Sequence, residues 1–316
     1  MYDVTALGEL LIDFTEAGTS DAGQALFERN PGGAPANVLV ALERLGHSTA
    51  FLGKVGDDMH GAFLRATLER EGVDCSGLIS DPEVFTTLAF VALGSDGERV
   101  FSFARKPGAD TRIAPEDLAR SVIESSRVLH VGSLSLTDEP ACSATHEALS
   151  CARAAGCILS YDPNYRANLW SSVDAAIEQM RSVVPQMDLM KLSDEECELL
   201  TGTADPEEAA QRILASGPKV VAVTLGSAGA YVRCAEGGCT VAGFPSEVVD
   251  TTGAGDSFWG GFLAAFIESG RALDEVSLDD AVAFARFGNA VAALCVRGRG
   301  GIPSMPARGD VEALLG

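Results

Sequence analysis

The sequence predicts an α/β protein of the doubly wound class, in which a parallel sheet carries helices on both faces. The first observation is that strand-like apolar runs alternate with segments of helical periodicity along the chain. The second is size, because 316 residues, 47% of them hydrophobic, are enough for one large or two modest domains with a sizeable core.

Helix-start and helix-stop residues support this alternation. Pro35 stands in the first turn of a helix predicted at 35–45, and a helix predicted at 59–71 begins after Asp58 and ends at Gly72. The other predicted elements are strands at 4–14, 50–55, 128–131, 158–162, 189–192 and 220–225, and helices at 115–124 and 279–297.

One segment departs from this alternation. Two runs with strand periodicity, 87–93 and 100–104, are joined across Ser95-Asp96-Gly97, and an Asp-Gly turn between such runs predicts a β-hairpin. The hairpin is either an edge of the main sheet or a separate flap, and composition does not choose between them.

Charge and cysteine content exclude several classes of function. The net charge of −22 (23 basic against 45 acidic residues) disfavours binding to nucleic acid or to anionic membranes. No apolar run reaches the 18 residues of a membrane span, and Met1-Tyr2-Asp3-Val4 lacks the basic start of a signal peptide, so we expect a cytoplasmic protein. The eight cysteines form no C-x-x-C pair and are expected to be reduced core residues.

The segment Asp250-Thr251-Thr252-Gly253-Ala254-Gly255-Asp256-Ser257-Phe258 carries the strongest chemical signal. It sets a glycine-rich turn before a helical pattern, so the N–H groups of Gly253, Ala254 and Gly255 point outward at the positive end of a helix dipole. That arrangement binds phosphate, and a carboxylate at Asp256 meets an acceptor hydroxyl there. The four residues Gly-Ala-Gly-Asp alone are more often only a helix N-cap.

The complete segment resembles the C-terminal signature of the ribokinase-like (PfkB) family of sugar kinases, and Gly32-Gly33-Ala34-Pro35-Ala36-Asn37 resembles the N-terminal one. The resemblance covers nearly the whole chain. It implies a ribokinase-like, doubly wound α/β/α three-layer domain built from residues 1–12, 32–86 and 111–316. It also implies a small β-sheet lid over the sugar, built from 13–31 and 87–110.

The resemblance also implies roles for individual residues. Asp256 is the general base, and Gly253, Ala254 and Gly255 form the anion hole for the transferring phosphoryl group. At a helix N-terminus the charged form of Asp256 is expected to be stabilised, which makes it a weak base. The implied sugar-binding residues are Asp13, Gly33, Asn37, Arg105 and Arg166.

Several of these residues have simpler interpretations that stay open. Asp13 is also typical of a solvated strand end, and Asn37 of an ordinary first-turn helix residue. Arg105 and Arg166 are each as typical of surface charges.

Nucleotide and cation contacts follow from the same resemblance. Thr224, Gly226 and Gly229 match the loop on the ATP side, Asn289 a position near the adenine, and Lys191 with Asn164 positions near the phosphates. Glu196 matches a residue that holds Mg²⁺ through water, but Ser193-x-x-Glu196 is also a capping box. Asp250, Thr252 and Ser304 match the region where relatives bind a monovalent cation such as K⁺, and Mg²⁺ is expected to arrive with ATP.

The segment from Phe101 to Asp110 looks most like fructokinases, so fructose phosphorylated at its 6-hydroxyl is the predicted substrate. Ala104 stands where those relatives often carry Tyr, which puts fructose in doubt. The alternatives are a 2-keto-3-deoxygluconate kinase or ribokinase, with Arg105 and Arg166 holding a carboxylate, and a sugar-binding regulator without turnover. Unpaired edges of the lid predict a homodimer through it.

Overall fold

A computed structural model describes residues 1–93 and 99–316. Its strands are β1 (Tyr2–Leu7), β2 (Leu11–Thr19), β3 (Ala25–Gly32), β4 (Thr49–Gly56), β5 (Asp74–Asp81), β6 (Leu88–Leu93), β7 (Arg99–Ala104), β8 (Ser126–Gly132), β9 (Ile158–Asp162), β10 (Leu189–Ser193), β11 (Val220–Thr224), β12 (Gly229–Cys234) and β13 (Gly237–Ala242). Its helices are α1 (Ala34–Arg44), α2 (Met59–Glu71), α3 (Arg120–Glu124), α4 (Ala141–Ala154), α5 (Val173–Val183), α6 (Asp194–Thr201), α7 (Pro206–Leu214), α8 (Ala254–Ser269), α9 (Leu278–Cys295), α10 (Gly301–Ser304) and α11 (Arg308–Leu315).

The described strands form a nine-stranded main sheet in the order β13-β12-β11-β10-β9-β8-β1-β4-β5. Neighbours from β11 to β5 pair in parallel, and β12 and β13 add an antiparallel edge. One apolar core packs α1, α8 and α9 on one face, around the fully buried Trp259, and a second packs α4 to α7 on the other, around the fully buried Tyr161. The predicted doubly wound α/β/α architecture is confirmed.

The strand order reverses beside β1, which lies between β8 and β4. Loops at the carboxyl ends of parallel strands near such a reversal are where open α/β sheets bind ligands. This edge of the sheet is therefore the expected position of the site.

A separate four-stranded sheet, which we call the lid sheet, has the order β3-β2-β6-β7. The strands β6 and β7 pair antiparallel as predicted, and they belong to this sheet and not to an edge of the main one. The predicted turn Ser95-Asp96-Gly97 lies outside the described residues. No helix within 1–93 and 99–316 is long and apolar enough to cross a membrane.

Some elements match the sequence patterns closely. The helix α2 has the predicted ends, since Asp58 accepts hydrogen bonds from the N–H groups of His60 and Gly61, and Gly72 ends it at φ 98°. The strand β9 also has the predicted ends, Ile158 and Asp162.

The strand predicted at 4–14 is wrong, because the chain divides it at Gly8-Glu9-Leu10. Residues before this link pair in the main sheet and residues after it pair in the lid sheet. A side chain at Gly8 would collide with Pro35 at 2.6 Å, so the crossover passes close under the start of α1. Uniform apolar character across Leu10 to Ile12 concealed the change of sheet.

Two further differences concern local structure. The helix predicted at 115–124 is a 3₁₀ turn at Pro115–Asp117 followed by the short α3. The Asp117 carboxylate accepts the Ala114 N–H at 2.9 Å and bonds Lys54 Nζ at 2.7 Å, which fixes the turn as a separate unit. The strands β5, β12 and β13 were not predicted.

Candidate active site

The helix α8 begins where the predicted phosphate-binding turn ends. Gly253 caps the helix at φ 77°, and a side chain on it would meet Gly301 at 3.0 Å, so this position requires glycine for two reasons. The Ala254 N–H closes the turn onto the Thr251 carbonyl at 3.2 Å. One of the three predicted donors is thus engaged within the turn, and the helix N-terminus supplies positive potential from Gly253 and Gly255.

Asp256 lies in the first turn of α8 and is 6% exposed. Its Oδ2 accepts a hydrogen bond from Asn37 Nδ2 at 2.7 Å, and its Oδ1 accepts one from Asn164 Nδ2 at 3.0 Å. Asn37 projects from α1 and Asn164 follows β9 in a left-handed conformation (φ 46°), so three separate segments fix this carboxylate.

Burial and, to a lesser extent, the neighbouring Asp162 raise the pKa of Asp256 to about 6, against the opposing effects of Asn37, Lys191 and Arg166. The expectation that the helix N-terminus makes Asp256 a weak base was wrong in sign. Desolvation outweighs the helix dipole because the group is almost completely buried.

A cavity of about 650 Å³ opens in front of Asp256, between the lid sheet and the main sheet. It brings together predicted residues from five parts of the chain: Asp13, Gly33, Asn37, Asn164, Arg166, Lys191, Thr252, Gly253, Ala254, Gly255 and Asp256. We call it the polar cavity.

Asp13 lines the polar cavity from near the beginning of β2, a lid strand, and not from the end of a main-sheet strand as predicted. Burial raises its pKa to about 6, and Arg166 opposes this rise while Asp256 and Asp250 add to it. Arg166 is exposed at the rim of the same cavity.

A second cavity of about 560 Å³, the apolar cavity, lies on the other side of the α8 turn. The predicted ATP-side residues Thr224, Gly226, Gly229 and Asn289 line it, with Phe244, Pro245 and Val248. Asn289 donates to the carbonyls of Val241 and Ala242. Its amide therefore fixes the wall of this cavity.

The two cavities share Thr251, Ala254 and Gly255. The predicted anion hole thus separates a polar space from an apolar one. A group bound on one side meets a group bound on the other at the start of α8.

Lys191 stands beside this junction in the middle of β10. Its Nζ contacts Asp162 Oδ2 at 2.9 Å, and a side chain on Gly255 would lie 2.9 Å from Nζ. Burial lowers the pKa of Lys191, but Asp162 and Glu196 outweigh this effect and hold the pKa above its ordinary value. The lysine is therefore a fixed positive charge. Like Asn164, it lines the polar cavity.

Glu196 forms the capping box that the sequence offered as one interpretation. The Ser193 hydroxyl accepts the Glu196 N–H, and Glu196 Oε2 accepts the Ser193 N–H at 2.8 Å. Glu196 Oε1 accepts the Tyr165 N–H at 2.7 Å. Both carboxylate oxygens thus hold backbone around the site.

Arg105 is not among the residues that line the polar cavity. Its guanidinium is 5% exposed and contacts Asp110 at 2.8 Å, the Thr137 hydroxyl at 2.8 Å and the Leu134 carbonyl at 2.8 Å. These partners tie the end of β7 to the main domain.

The three residues predicted to bind a monovalent cation surround Gly300. Asp250 Oδ2 accepts the Gly300 N–H at 3.0 Å, and Asp250 Oδ1 accepts from the Thr252 hydroxyl at 2.8 Å. The Ser304 hydroxyl donates to the carbonyls of Gly300 and Gly301. The fold thus places the three close together.

Comparison with known proteins agrees with this geometry. Residues 1–308 match the family described as pfkB family carbohydrate kinase. The chain belongs to this family. Its members are phosphotransferases with an alcohol acceptor.

Individual members of the pfkB family are similar over their whole length. The chain is 41% identical to the probable fructokinase-5 of Arabidopsis thaliana, over 99% of this chain and 97% of that one. Among solved structures, the fructokinase of Xylella fastidiosa with bound ATP is 33% identical, with TM-score 0.92 and coverage of 100% and 98%. The fructokinase of Vibrio cholerae O395 in its fructose, ADP and calcium ion bound form is 34% identical, with TM-score 0.90 and coverage of 100% and 99%.

Asp162 and Glu9 are two of the residues at this site that were not predicted. Asp162 ends β9 and holds Lys191, and its signal was a carboxylate at a strand end. Glu9 lines the polar cavity at the crossover between the two sheets, and its signal was a single charge within an apolar run. The prediction of one continuous strand over this run concealed it.

Proposed function

We propose that this kinase transfers the γ-phosphoryl group of ATP to the 6-hydroxyl of fructose. The observation that carries the proposal is the wall shared by the two cavities at Thr251, Ala254 and Gly255. One side presents carboxylates and amides suited to a polyol, and the other presents apolar groups suited to an adenine ring. Similarity to proteins named fructokinase supports the choice of sugar.

In the proposed reaction Asp256 accepts the proton of the 6-hydroxyl as that oxygen bonds to the γ-phosphorus, and the bond to the β-phosphate oxygen breaks to release ADP. With a pKa of about 6, Asp256 is ionised at neutral pH and more basic than an ordinary carboxylate. Asn37 and Asn164 orient it. The α8 N-terminus and Lys191 stabilise negative charge on the moving group.

Asp13, Gly33, Asn37 and Arg166 are the proposed sugar-binding residues. A substrate with a carboxylate, such as 2-keto-3-deoxygluconate, was expected to use Arg105 together with Arg166. Asp110, Thr137 and Leu134 hold the Arg105 guanidinium, and Arg105 does not line the polar cavity. Of the two arginines, only Arg166 lines that cavity. This supports a neutral sugar.

Mg²⁺ is proposed to enter with ATP. Within the described part of the chain no three acidic, histidine or cysteine side chains converge on a metal position, which fits an ion held mainly by phosphates and water. Glu196 then contacts Mg²⁺ at most through water, since each of its carboxylate oxygens also accepts a hydrogen bond from a backbone N–H. Bound Mg²⁺ supplies neutralisation of phosphate charge.

A monovalent cation such as K⁺ is proposed near Asp250, Thr252 and Ser304, where it would stiffen the turn before α8. The proposal is tested by measuring turnover while K⁺ replaces Na⁺ at constant ionic strength. Turnover that is independent of K⁺ removes the proposal.

The lid sheet is proposed to pair with a second copy. Phe14 stacks on Phe90 at 5.3 Å, Phe27 lies against Phe90 at 6.2 Å, and the rings of Phe27 and Phe90 remain 43% and 38% exposed. An exposed aromatic patch of this kind is typical of a protein interface. Light scattering is expected to give a dimer for the wild type and a monomer for Phe27→Ser, and a monomeric wild type refutes pairing.

The cysteines support the proposed cytoplasmic location. All eight are free thiols, and five of them are buried. Free thiols persist in a reducing compartment.

The substrate is tested by coupled ADP release against fructose, ribose and 2-keto-3-deoxygluconate. The proposal expects the highest kcat/KM for fructose and fructose 6-phosphate as product. A higher kcat/KM for either other sugar transfers the assignment to that sugar. ADP release with none of them, despite measurable sugar binding, would instead favour the regulator without turnover.

A further inference from the structure

Glu9 lies in the three-residue link between β1 and β2, where the chain passes from the main sheet to the lid sheet. It is 4% exposed and lines the polar cavity. Its Oε1 accepts the Ala34 N–H at 2.8 Å, next to Gly33, whose backbone packs directly on the Glu9 carbonyl. The side chain is thus held firmly at one oxygen.

The other oxygen, Oε2, is buried without a hydrogen-bond partner among the described residues. The positive charge of Arg105 acts to lower the Glu9 pKa, but Asp110, Thr137 and Leu134 hold its guanidinium. Burial therefore raises the pKa of Glu9 to about 7, although the Ala34 hydrogen bond opposes the rise. A carboxylate oxygen left without a donor is costly in the interior of a protein.

A second unpartnered acceptor belongs to the same cavity. Asn37 donates its amide N–H to Asp256, and its Oδ1 is buried without a partner. Two orphaned acceptors on residues that line one cavity call for a ligand with several hydroxyl donors.

We propose that Glu9 is a sugar-binding residue, whose Oε2 accepts a hydrogen bond from one hydroxyl of the substrate, directly or through one water. This inference rests on the proposed function and specifies how the polar cavity recognises a polyol. Glu9 would select for a hydroxyl at one carbon of the sugar, because an analogue without that hydroxyl leaves the buried Oε2 without a hydrogen-bond partner.

Glu9→Gln is the direct test, because the amide oxygen keeps the Ala34 anchor and the amide NH₂ replaces Oε2, turning an acceptor into a donor. The KM and Kd for fructose are expected to rise at least about tenfold, the loss typical of a hydrogen bond to a charged group. The KM for ATP and the unfolding temperature are expected to stay unchanged. Glu43→Gln is the matched control, since Glu43 also accepts a backbone N–H, from Thr49 at 2.7 Å, and does not line the polar cavity.

Fructose analogues lacking one hydroxyl identify the partner. With wild-type enzyme, one of 1-deoxy-, 3-deoxy- and 4-deoxyfructose is expected to bind about tenfold more weakly than fructose. In the Glu9→Gln variant, the same analogue is expected to bind almost as tightly as fructose binds to that variant. Should Glu9→Gln lower the unfolding temperature, Glu9→Asp replaces it, because it keeps the charge but withdraws the carboxylate by one methylene.

The outcomes separate the two proposals. A fructose Kd within about twofold of wild type in Glu9→Gln, or equal losses for every analogue in both proteins, overturns the role of Glu9 and leaves the kinase assignment standing. Equal loss of fructose and ATP affinity indicates a structural role and also overturns it. A wild-type enzyme that does not phosphorylate fructose refutes the proposed substrate first.

Discussion

Asp256→Asn is expected to lower turnover by at least about 10²-fold, because it removes the group that accepts the hydroxyl proton. Fructose binding is expected to persist, since the substitution preserves the size of the side chain and its place between Asn37 and Asn164. Coupled ADP release measures the first effect, and isothermal titration with fructose measures the second.

The same substitution is expected to stabilise the protein at pH 8. Burial raises the Asp256 pKa from 3.8 to about 6, so ionised Asp256 costs the folded state about 3 kcal/mol at pH values above both pKa values. Asparagine avoids that cost but cannot accept from both amides, which loses about 1–2 kcal/mol. The net gain is about 1–2 kcal/mol.

The sign of this effect depends on pH. Because the folded pKa is raised, the wild type sheds its penalty as pH falls from about 6 through 3.8, and the advantage of Asp256→Asn should vanish near pH 4. Urea unfolding of both proteins at pH 8, 6 and 4 measures the difference. A variant that is less stable by the same margin at every pH, or that keeps a tenth of its turnover, refutes the reasoning.

Asp58→Asn provides a control of opposite sign. Burial acts to raise the Asp58 pKa, but hydrogen bonds from Thr86, Gly61 and His60 outweigh it, and the folded pKa is lowered. The Asp58 carboxylate therefore stabilises the folded state at neutral pH and loses that effect in acid. Its replacement is expected to destabilise the protein most at pH 8.

Three further predictions concern the junction of the cavities. Gly255→Ala should fold but have a kcat about 10²-fold lower than that of the wild type. The new methyl group would lie 2.9 Å from Lys191 Nζ and would displace the lysine side chain. An unchanged kcat contradicts this prediction. Lys191→Met leaves Asp162 buried without its cation and should cost about 3–5 kcal/mol in urea unfolding. Adding Asp162→Asn should restore most of that stability without activity, and a single variant as stable as wild type counts against the pair. Finally, kcat/KM should fall as pH drops through about 6, where burial places the pKa values of Asp13 and Asp256, and a flat profile down to pH 5 argues against both roles.

Local patterns in the sequence sufficed for much of the fold. The caps of α2, the ends of β9 and the glycine turn before α8 depend on a few adjacent residues, so each could be predicted. The division of 4–14 into β1 and β2 could not, because the two halves have similar apolar character and differ only in which distant strands they pair with.

The residues of the candidate site likewise divide into those that the sequence could predict and those that it could not. Asp256 and Asn37 belong to signatures with fixed spacing, and the structure joins them through a 2.7 Å hydrogen bond. Arg105 was predicted beside the sugar because a segment of similar sequence faces the sugar in relatives. Its partner Asp110 lies only five residues away, but sequence does not reveal which of several nearby acids an arginine will meet. The raised pKa of Asp256 likewise depends on burial that only the folded chain creates.

The acidic character of the chain and its chemistry with phosphate are compatible because the charges are segregated at the site. Asp13, Asp256 and Glu9 line the polar cavity, where a neutral polyol offers donors, and Asp256 adds to the rise in the pKa of Asp13. Lys191 and the α8 N-terminus stand at the wall shared with the apolar cavity, where the phosphate charge must lie if the proposed function is correct. A substitution that reverses charge on either side should therefore impair one substrate selectively, and this predicts that sugar and nucleotide affinities can be changed independently.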